Sequence, residues 1–308
     1  MSQLETPAEG LNPLTDGVAF IDNEYMPIAE ARIPLTDWGF LRSDVTYDVV
    51  AVWGGGFFRL RDHLDRFSRS IGKLRMAAPH DRDGIAAILA ECVRRSGLRE
   101  AYVEMILTRG TPPPGSRDPR ACENRFYAMA IPYVWIAPPE KQEQGLHMII
   151  SGVPRIAPES VDPTVKNFHW GDMVKGLFEA YERGGETVVL TDGKGNITEG
   201  PGFNLFASIE GRLVTPAGGV LLGITRKTVI ELAASLNVKV DVSTLTEREL
   251  RQADEIFISS TAGGIMPVTR LDDNVVGDGG PGPITLRLRQ MYWDAHDGGK
   301  YVTRIDYG

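Results

Sequence analysis

The chain has 308 residues, 42% hydrophobic and 24% charged, with a formal net charge of −8. That is the composition of a globular protein, and at this length two modest domains fit better than one core. No basic stripe is present to track a nucleic-acid backbone, and neither a membrane span nor a signal peptide is visible, so a cytoplasmic address is expected.

In chain order, Met1–Pro13 reads as a flexible arm. Gly17–Met26 alternates like a hairpin with Asp22-Asn23 at its turn. Tyr47–Trp53, then Gly54-Gly55-Gly56, then Phe57–Leu60 predict a second hairpin. Apolar residues at helical spacing predict helices over Asp62–Leu74 and Ile85–Val93, with Cys92 as core filler. Ala101–Thr108 and Phe126–Ile136 read as strands, and the Pro- and Arg-rich Thr111–Cys122 as a loop between them. Pro138-Pro139 and the charged run after it suggest a linker over 137–145, between domains at 1–136 and 146–308. The second half predicts strands at Leu146–Val153, Thr187–Leu190, Phe203–Ser208, Arg212–Thr215 and Glu255–Ser259. Its helices are expected over Gly171–Arg183, Thr225–Leu236 and Ile284–Ala295. Strands and helices mix without strict alternation, so the expected class is α+β with antiparallel or mixed sheets.

Several chemistries are not offered. The five histidines, His63, His80, His147, His169 and His296, have no metal-ligand spacing. The triple glycine leads into a strand and not a helix, so it is a turn, not a phosphate cradle, and no Gly-x-Ser-x-Gly elbow occurs. Four segments remain. Gly223-Ile224-Thr225-Arg226 opens a helix, leaving backbone N–H groups and a hydroxyl for an anion, although an ordinary capped helix looks the same. Ser259–Gly264 puts hydroxyls and glycines after a strand, as loops also do. Glu199 stands between Thr198 and Gly200-Pro201-Gly202, where small neighbours let a flat ligand approach a carboxylate; a solvated turn acid is the alternative. Lys166 is flanked by Val165, Phe168 and Trp170, and desolvation would free its amine for carbonyl attack; the bland alternative is a snorkelling surface lysine.

Taken together, these segments resemble the fold-type IV pyridoxal-phosphate enzymes: branched-chain aminotransferases, D-amino-acid aminotransferases, (R)-selective amine transaminases and aminodeoxychorismate lyase. The likeness runs from about Gly17 to Tyr307. It is strongest to the (R)-selective amine transaminases, at Ser43–Asp48, at Arg59-Leu60 with His63–Arg66, at Thr164–Asp172 and at Thr261–Pro267. The resemblance implies a two-domain fold like that of D-amino-acid aminotransferase, bound pyridoxal 5′-phosphate and a homodimer. It implies that Lys166 carries the cofactor as a Schiff base and moves the substrate proton, and that Glu199 pairs with the pyridine nitrogen. Arg66, Ile224, Thr225 and Thr261 would hold the phosphate, although Arg66 could instead be a helix salt bridge to Asp62 or Asp65. Leu221 would pack on the ring, and Tyr47, Val49, Tyr102, Trp170 and Ala262 would wall the substrate.

Two departures stand out. Arg42 occupies a position where the (R)-amine enzymes commonly have histidine, and Gly115 falls where they often carry a carboxylate-binding arginine. Arg42 or Arg117 is therefore the candidate clamp for a substrate carboxylate, since guanidinium suits bidentate binding. The expected reaction moves an amino group from an (R)-amine or D-amino acid to an α-keto acid such as pyruvate. Alternatives are a D-amino-acid enzyme with little amine activity, a branched-chain enzyme, a lyase and a non-catalytic cofactor-binding protein.

Overall fold

The computed structural model describes residues 11–12 and 14–308. The arm expected over Met1–Pro13 therefore lies almost wholly outside the described residues. The elements run β1 (Val18–Ile21), β2 (Glu24–Pro27), α1 (Trp38–Arg42), β3 (Val45–Trp53), β4 (Gly56–Phe58), α2 (Leu60–Lys73), α3 (Arg82–Ser96), β5 (Ala101–Thr111) and β6 (Glu123–Pro132). There follow α4 (Pro139–Gln144), β7 (Leu146–Pro154), α5 (Gly171–Glu182), β8 (Thr187–Thr191), β9 (Asn204–Ile209), β10 (Arg212–Pro216), α6 (Ile224–Ser235) and β11 (Val240–Ser243). The chain ends with α7 (Glu247–Leu250), β12 (Glu255–Ser260), β13 (Gly264–Leu271), β14 (Asn274–Val275), α8 (Pro283–Asp294) and β15 (Val302–Arg304). The α+β expectation is met.

Two compact units result. The first runs to Val134 and also takes Val165–His169 and His296–Gly308; the second is Trp135–Thr164 with Trp170–Ala295. The boundaries thus differ from 1–136, 137–145 and 146–308. The expected linker belongs to the second unit: Pro139 sits in the first turn of α4, where its missing N–H costs nothing, and Gln142 is fully buried with its amide donating to the Ala137 carbonyl at 2.7 Å.

In the first unit a seven-stranded sheet is ordered β15-β4-β3-β5-β6-β1-β2, and every pairing is antiparallel. Asp22 and Asn23, at φ 51° and 66°, make the left-handed turn that the β1–β2 hairpin needs. One face is apolar and packs on α2 and α3: Val50, Val52, Val103, Met105 and Leu107 meet Leu64, Phe67, Leu89 and Val93. The period of two then sends Tyr47, Val49 and Ala51, with Tyr102, Glu104 and Ile106, to the opposite face. Because β4 is short, it pairs only with the Val52–Trp53 end of β3, and the Thr46–Tyr47 end of that edge receives Lys166 and Asn167.

In the second unit the sheet is ordered β11-β10-β9-β12-β13-β7-β8, with β14 added to β13. It is mixed, with parallel pairs at β10–β11, β13–β7 and β7–β8. Its core contains Leu205, Ala207, Ile256, Ile258, Met266 and Val268. At the start of α8, Glu255 accepts the Ile284 and Thr285 N–H groups at 3.1 and 2.8 Å, satisfying donors that the helix leaves open after Pro283.

Candidate active site

The predicted residues fall into two sets. Arg42, Tyr47, Val49, Arg66, Tyr102, Arg117 and Lys166 are in the first unit; Trp170, Glu199, Leu221, Ile224, Thr225, Thr261 and Ala262 are in the second.

In the first unit, Lys166 lies along the open edge of β3. Its carbonyl accepts from Thr46 Oγ1 at 2.7 Å and from the Tyr47 N–H at 3.2 Å, and a bridge joins Thr46 to Asn167. The backbone is thus fixed as if it were one more strand. The Lys166 ammonium stands 4.2 Å from the Tyr47 ring centroid, a cation–π contact, and Phe168 packs on the same ring at 4.7 Å. Val49 and Tyr102 share that sheet face with Tyr47. Glu104, between them on β5, was not singled out from the sequence. It is buried, and burial pushes its carboxyl up to about 7, against the opposing pull of the Lys166 charge. Reading the alternation onward from Tyr102 would have found it.

Arg66 reaches across to β3. Its Nε and Nη2 donate to the two oxygens of Asp48, each at 2.8 Å, while Asp62 pairs with Arg59 and Asp65 with Arg82. His63 Nδ1 lies 2.8 Å from the same carboxylate. Burial pushes the Asp48 carboxyl up, but the Arg66 charge and hydrogen bonds, with His63, hold it well below the usual carboxylate range. Burial pushes His63 down, so the neutral ring donates its Nδ1–H to Asp48. Two of the five Arg66 N–H bonds are committed to Asp48, which sets the plane of the guanidinium.

The two clamp candidates lie at the surface. Arg42 stacks its guanidinium 3.6 Å from the Trp38 ring centroid, and Arg117 is exposed in the loop after β5. Arg109, also in that region, is taken by both oxygens of Asp44 at 2.9 and 3.0 Å.

In the second unit the buried Glu199 is the hub. It accepts the Leu221 N–H at 2.8 Å and lies 3.4 Å from Arg155 Nη2. Arg155 also donates to Asp172 at 2.6 Å, in the first turn of α5. Asn204, paired across strands with Ser259, donates to the Leu221 carbonyl at 2.9 Å and stands 3.5 Å from Glu199. Neither Arg155 nor Asn204 was singled out, since ion pairs between distant loops leave no spacing signal. Two residues past Leu221, Gly223 caps α6 without a side chain, and no side-chain bond caps the helix. Ser260 Oγ donates to the Gly202 carbonyl at 2.8 Å and accepts the Ala262 N–H at 3.2 Å, tying the β12–β13 turn to the loop after Glu199. Trp170 faces Gly202 closely enough that a Cβ there would meet its ring at 3.5 Å.

The family model for class IV amino-transferases matches residues 46–271. This chain belongs to the class IV aminotransferases. Among curated relatives of the family, a branched-chain-amino-acid aminotransferase of Escherichia coli is 31% identical over 246 residues, covering 78% of this chain and 79% of its own length. A D-alanine aminotransferase of Listeria monocytogenes is 29% identical over 280 residues, covering 88% and 93%. The solved branched-chain amino acid aminotransferase from Thermobaculum terrenum, crystallised in its PLP holo form, superposes with a TM-score of 0.85 at 25% identity, covering 95% of this chain and 99% of that one.

The residues present fit a phosphorylated, planar cofactor of the kind class IV enzymes use. Arg155 Nε and Ser259 Oγ are buried with no protein partner and so are open to a ligand. The first turn of α6 adds N–H groups suited to an anion, with no side chain from Gly223 competing for them. A side chain at Gly223 is expected to upset the hub: its Cβ would come within 2.1 Å of Asn204 Oδ1. Gly223→Ala should cost about 1–3 kcal/mol, read as a lower urea midpoint, as overpacking elsewhere does.

Proposed function

We propose that this class IV aminotransferase uses pyridoxal 5′-phosphate to take the amino group of an (R)-amine or D-amino acid and pass it to an α-keto acid such as pyruvate. Pyridoxal 5′-phosphate, when bound, supplies an aldehyde for amines to condense with and a ring that withdraws electrons. Lys166 Nζ is the amine that holds that aldehyde and afterwards carries the substrate proton. Glu199 places a carboxylate to pair with the ring nitrogen, and its own orientation is held by the Leu221 N–H and by Arg155. Leu221 packs on the ring; Arg66, Ile224, Thr225 and Thr261 hold the phosphate. Tyr47, Val49, Tyr102, Trp170 and Ala262 shape the substrate space, and Arg42 or Arg117 takes a substrate carboxylate. The protein works as a homodimer in the cytoplasm.

The observation that carries the donor preference is the face beside Lys166. β3 presents Tyr47, Val49 and Ala51 there and β5 presents Tyr102, Glu104 and Ile106, so neither strand offers a cation to an amino-acid carboxylate. A second reading, a branched-chain L-amino-acid aminotransferase, is favoured by the names of the E. coli and T. terrenum relatives. A donor panel separates the two. Turnover of (R)-1-phenylethylamine and D-alanine, with L-leucine inert, is the expected result; turnover of L-leucine alone would reverse the reading. In the same panel Arg42→Ala should lower kcat/KM for D-alanine by about tenfold or more, the loss of one charge-assisted contact of about 1.5–3 kcal/mol, and spare the amine. Unchanged D-alanine kinetics would move the clamp to Arg117.

A further inference from the structure

Glu104 is a buried acid with an unusual lack of company. The residue is 8% exposed, and it has no hydrogen-bond or ion-pair partner among the described residues. Buried carboxyl groups are normally satisfied, because leaving one unpaired costs several kcal/mol, roughly. Its register explains where it points. It lies opposite Val49 on β3 and two residues from Tyr102, on the face that carries Tyr47 and away from the helix-packed core. The charged groups that act on it are Lys166, opposite in sign, and Asp48, like in sign; Tyr102 and Tyr47 are its titratable aromatic neighbours.

We propose that Glu104 reads the substrate: as a carboxylate it opposes a carboxylate brought to the Lys166 face, by a donor or by the keto-acid acceptor alike, and as a neutral acid it admits one. The proposal rests on the donor reading above and names the substrate class within it, amines with neutral or hydrogen-bond-donating substituents. Coulomb's law gives the sign. Two anions a few ångströms apart repel by about 1–4 kcal/mol at effective dielectric constants between water and a protein surface. The protonated carboxyl instead offers an O–H donor to the incoming carboxylate. Because burial sets this carboxyl to titrate at about 7, the discrimination should switch on across neutral pH.

The test compares kcat/KM for D-alanine with that for (R)-1-phenylethylamine from pH 6 to 8. Both donors stay protonated over this range, so their own ionisation cancels in the ratio. In the wild type the ratio of D-alanine to amine should fall by about tenfold, the change in the neutral fraction of an acid titrating mid-range. In Glu104→Gln it should stay flat, and at pH 8 the variant should exceed the wild type with D-alanine by a similar factor. A flat ratio in the wild type, or the same fall in the variant, overturns the proposal. A second readout needs no turnover: saturation-transfer NMR of propionate and propionamide on the cofactor-free full chain. Propionate binding should weaken from pH 6 to 8 in the wild type, not in Glu104→Gln or Glu104→Leu, and propionamide binding should not change. That pattern with neither donor turned over would sink the reaction and keep the role of Glu104; absence of propionate binding at pH 6 would sink the role of Glu104 itself.

Discussion

Lys166→Ala is expected to leave a folded protein without transaminase activity. Losing a positioned proton-transfer group alone costs about 10²–10⁴-fold, and losing the covalent attachment comes on top of it. The structure gives reasons to expect that the fold survives. The Lys166 backbone is held through its carbonyl by Thr46 and Tyr47, and both bonds remain in the variant. The side chain is only partly buried, and its contact with the Tyr47 ring is replaceable by solvent. Stability should therefore change by about 0.5 kcal/mol or less, as at most sites outside the core. Borohydride treatment of the loaded wild type should fix the cofactor on the tryptic peptide containing Lys166, and mass spectrometry should find no such adduct in the variant. Lys166→Arg should fail as completely, because a guanidinium stays protonated and does not condense with an aldehyde. An active Lys166→Ala protein, or an adduct on a different lysine, would end the assignment.

Much of the fold was legible because its signals are local. The β1–β2 turn announces itself through Asp22-Asn23, and α2 and α3 through apolar spacing that the core then uses at Leu64, Phe67, Leu89 and Val93. α7 also carried a usable signal, since Thr246 and Glu249 form a reciprocal capping box. β13 was hidden by its own composition. Gly264 at its start and Pro267 within it both read as strand breakers, yet Pro267 is accommodated opposite Phe257. β15 is three residues long, exposed at Thr303 and Arg304, and its membership in the first unit depends on pairing with β4 across most of the chain. The same limit applies around the candidate site. That Lys166 is a candidate could be argued from its neighbours in sequence, but not that its segment would bind the edge of a strand 120 residues away. Pairings such as Arg155 with Glu199 and Arg66 with Asp48 depend on which loops and strands meet, and pattern along the chain does not encode that.

Asp48→Ala is expected to destabilise the first unit by about 3–5 kcal/mol, because it removes the shared acceptor of a buried guanidinium, a buried imidazole and a backbone N–H. Asp48 is fully buried and receives Arg66 through both oxygens, His63 through Nδ1 and the Val49 N–H at 2.8 Å. The attraction between the charges is worth less than this figure, since burying them has its own cost; the loss comes mainly from buried donors deprived of this acceptor. pH gives an independent check. The Asp48 carboxyl is held below its unfolded value, so its stabilising contribution is full above the ordinary aspartate pKa and is lost as pH falls through the folded one. Wild-type stability should thus decline in acid more steeply than that of Asp48→Asn, measured by urea denaturation between neutral pH and about pH 3. Function should follow geometry. With Asp48 gone, the Arg66 guanidinium loses the two bonds that set its plane, and the grip on a phosphate should weaken even where the protein is still folded. Asp48→Asn separates the two effects: it keeps one acceptor for Arg66 and the volume of the site while removing the charge. An affinity for pyridoxal 5′-phosphate that drops in Asp48→Asn, measured by fluorescence titration on protein verified as folded, would tie Arg66 to the phosphate. An unchanged affinity would make the Asp48–Arg66–His63 cluster purely structural.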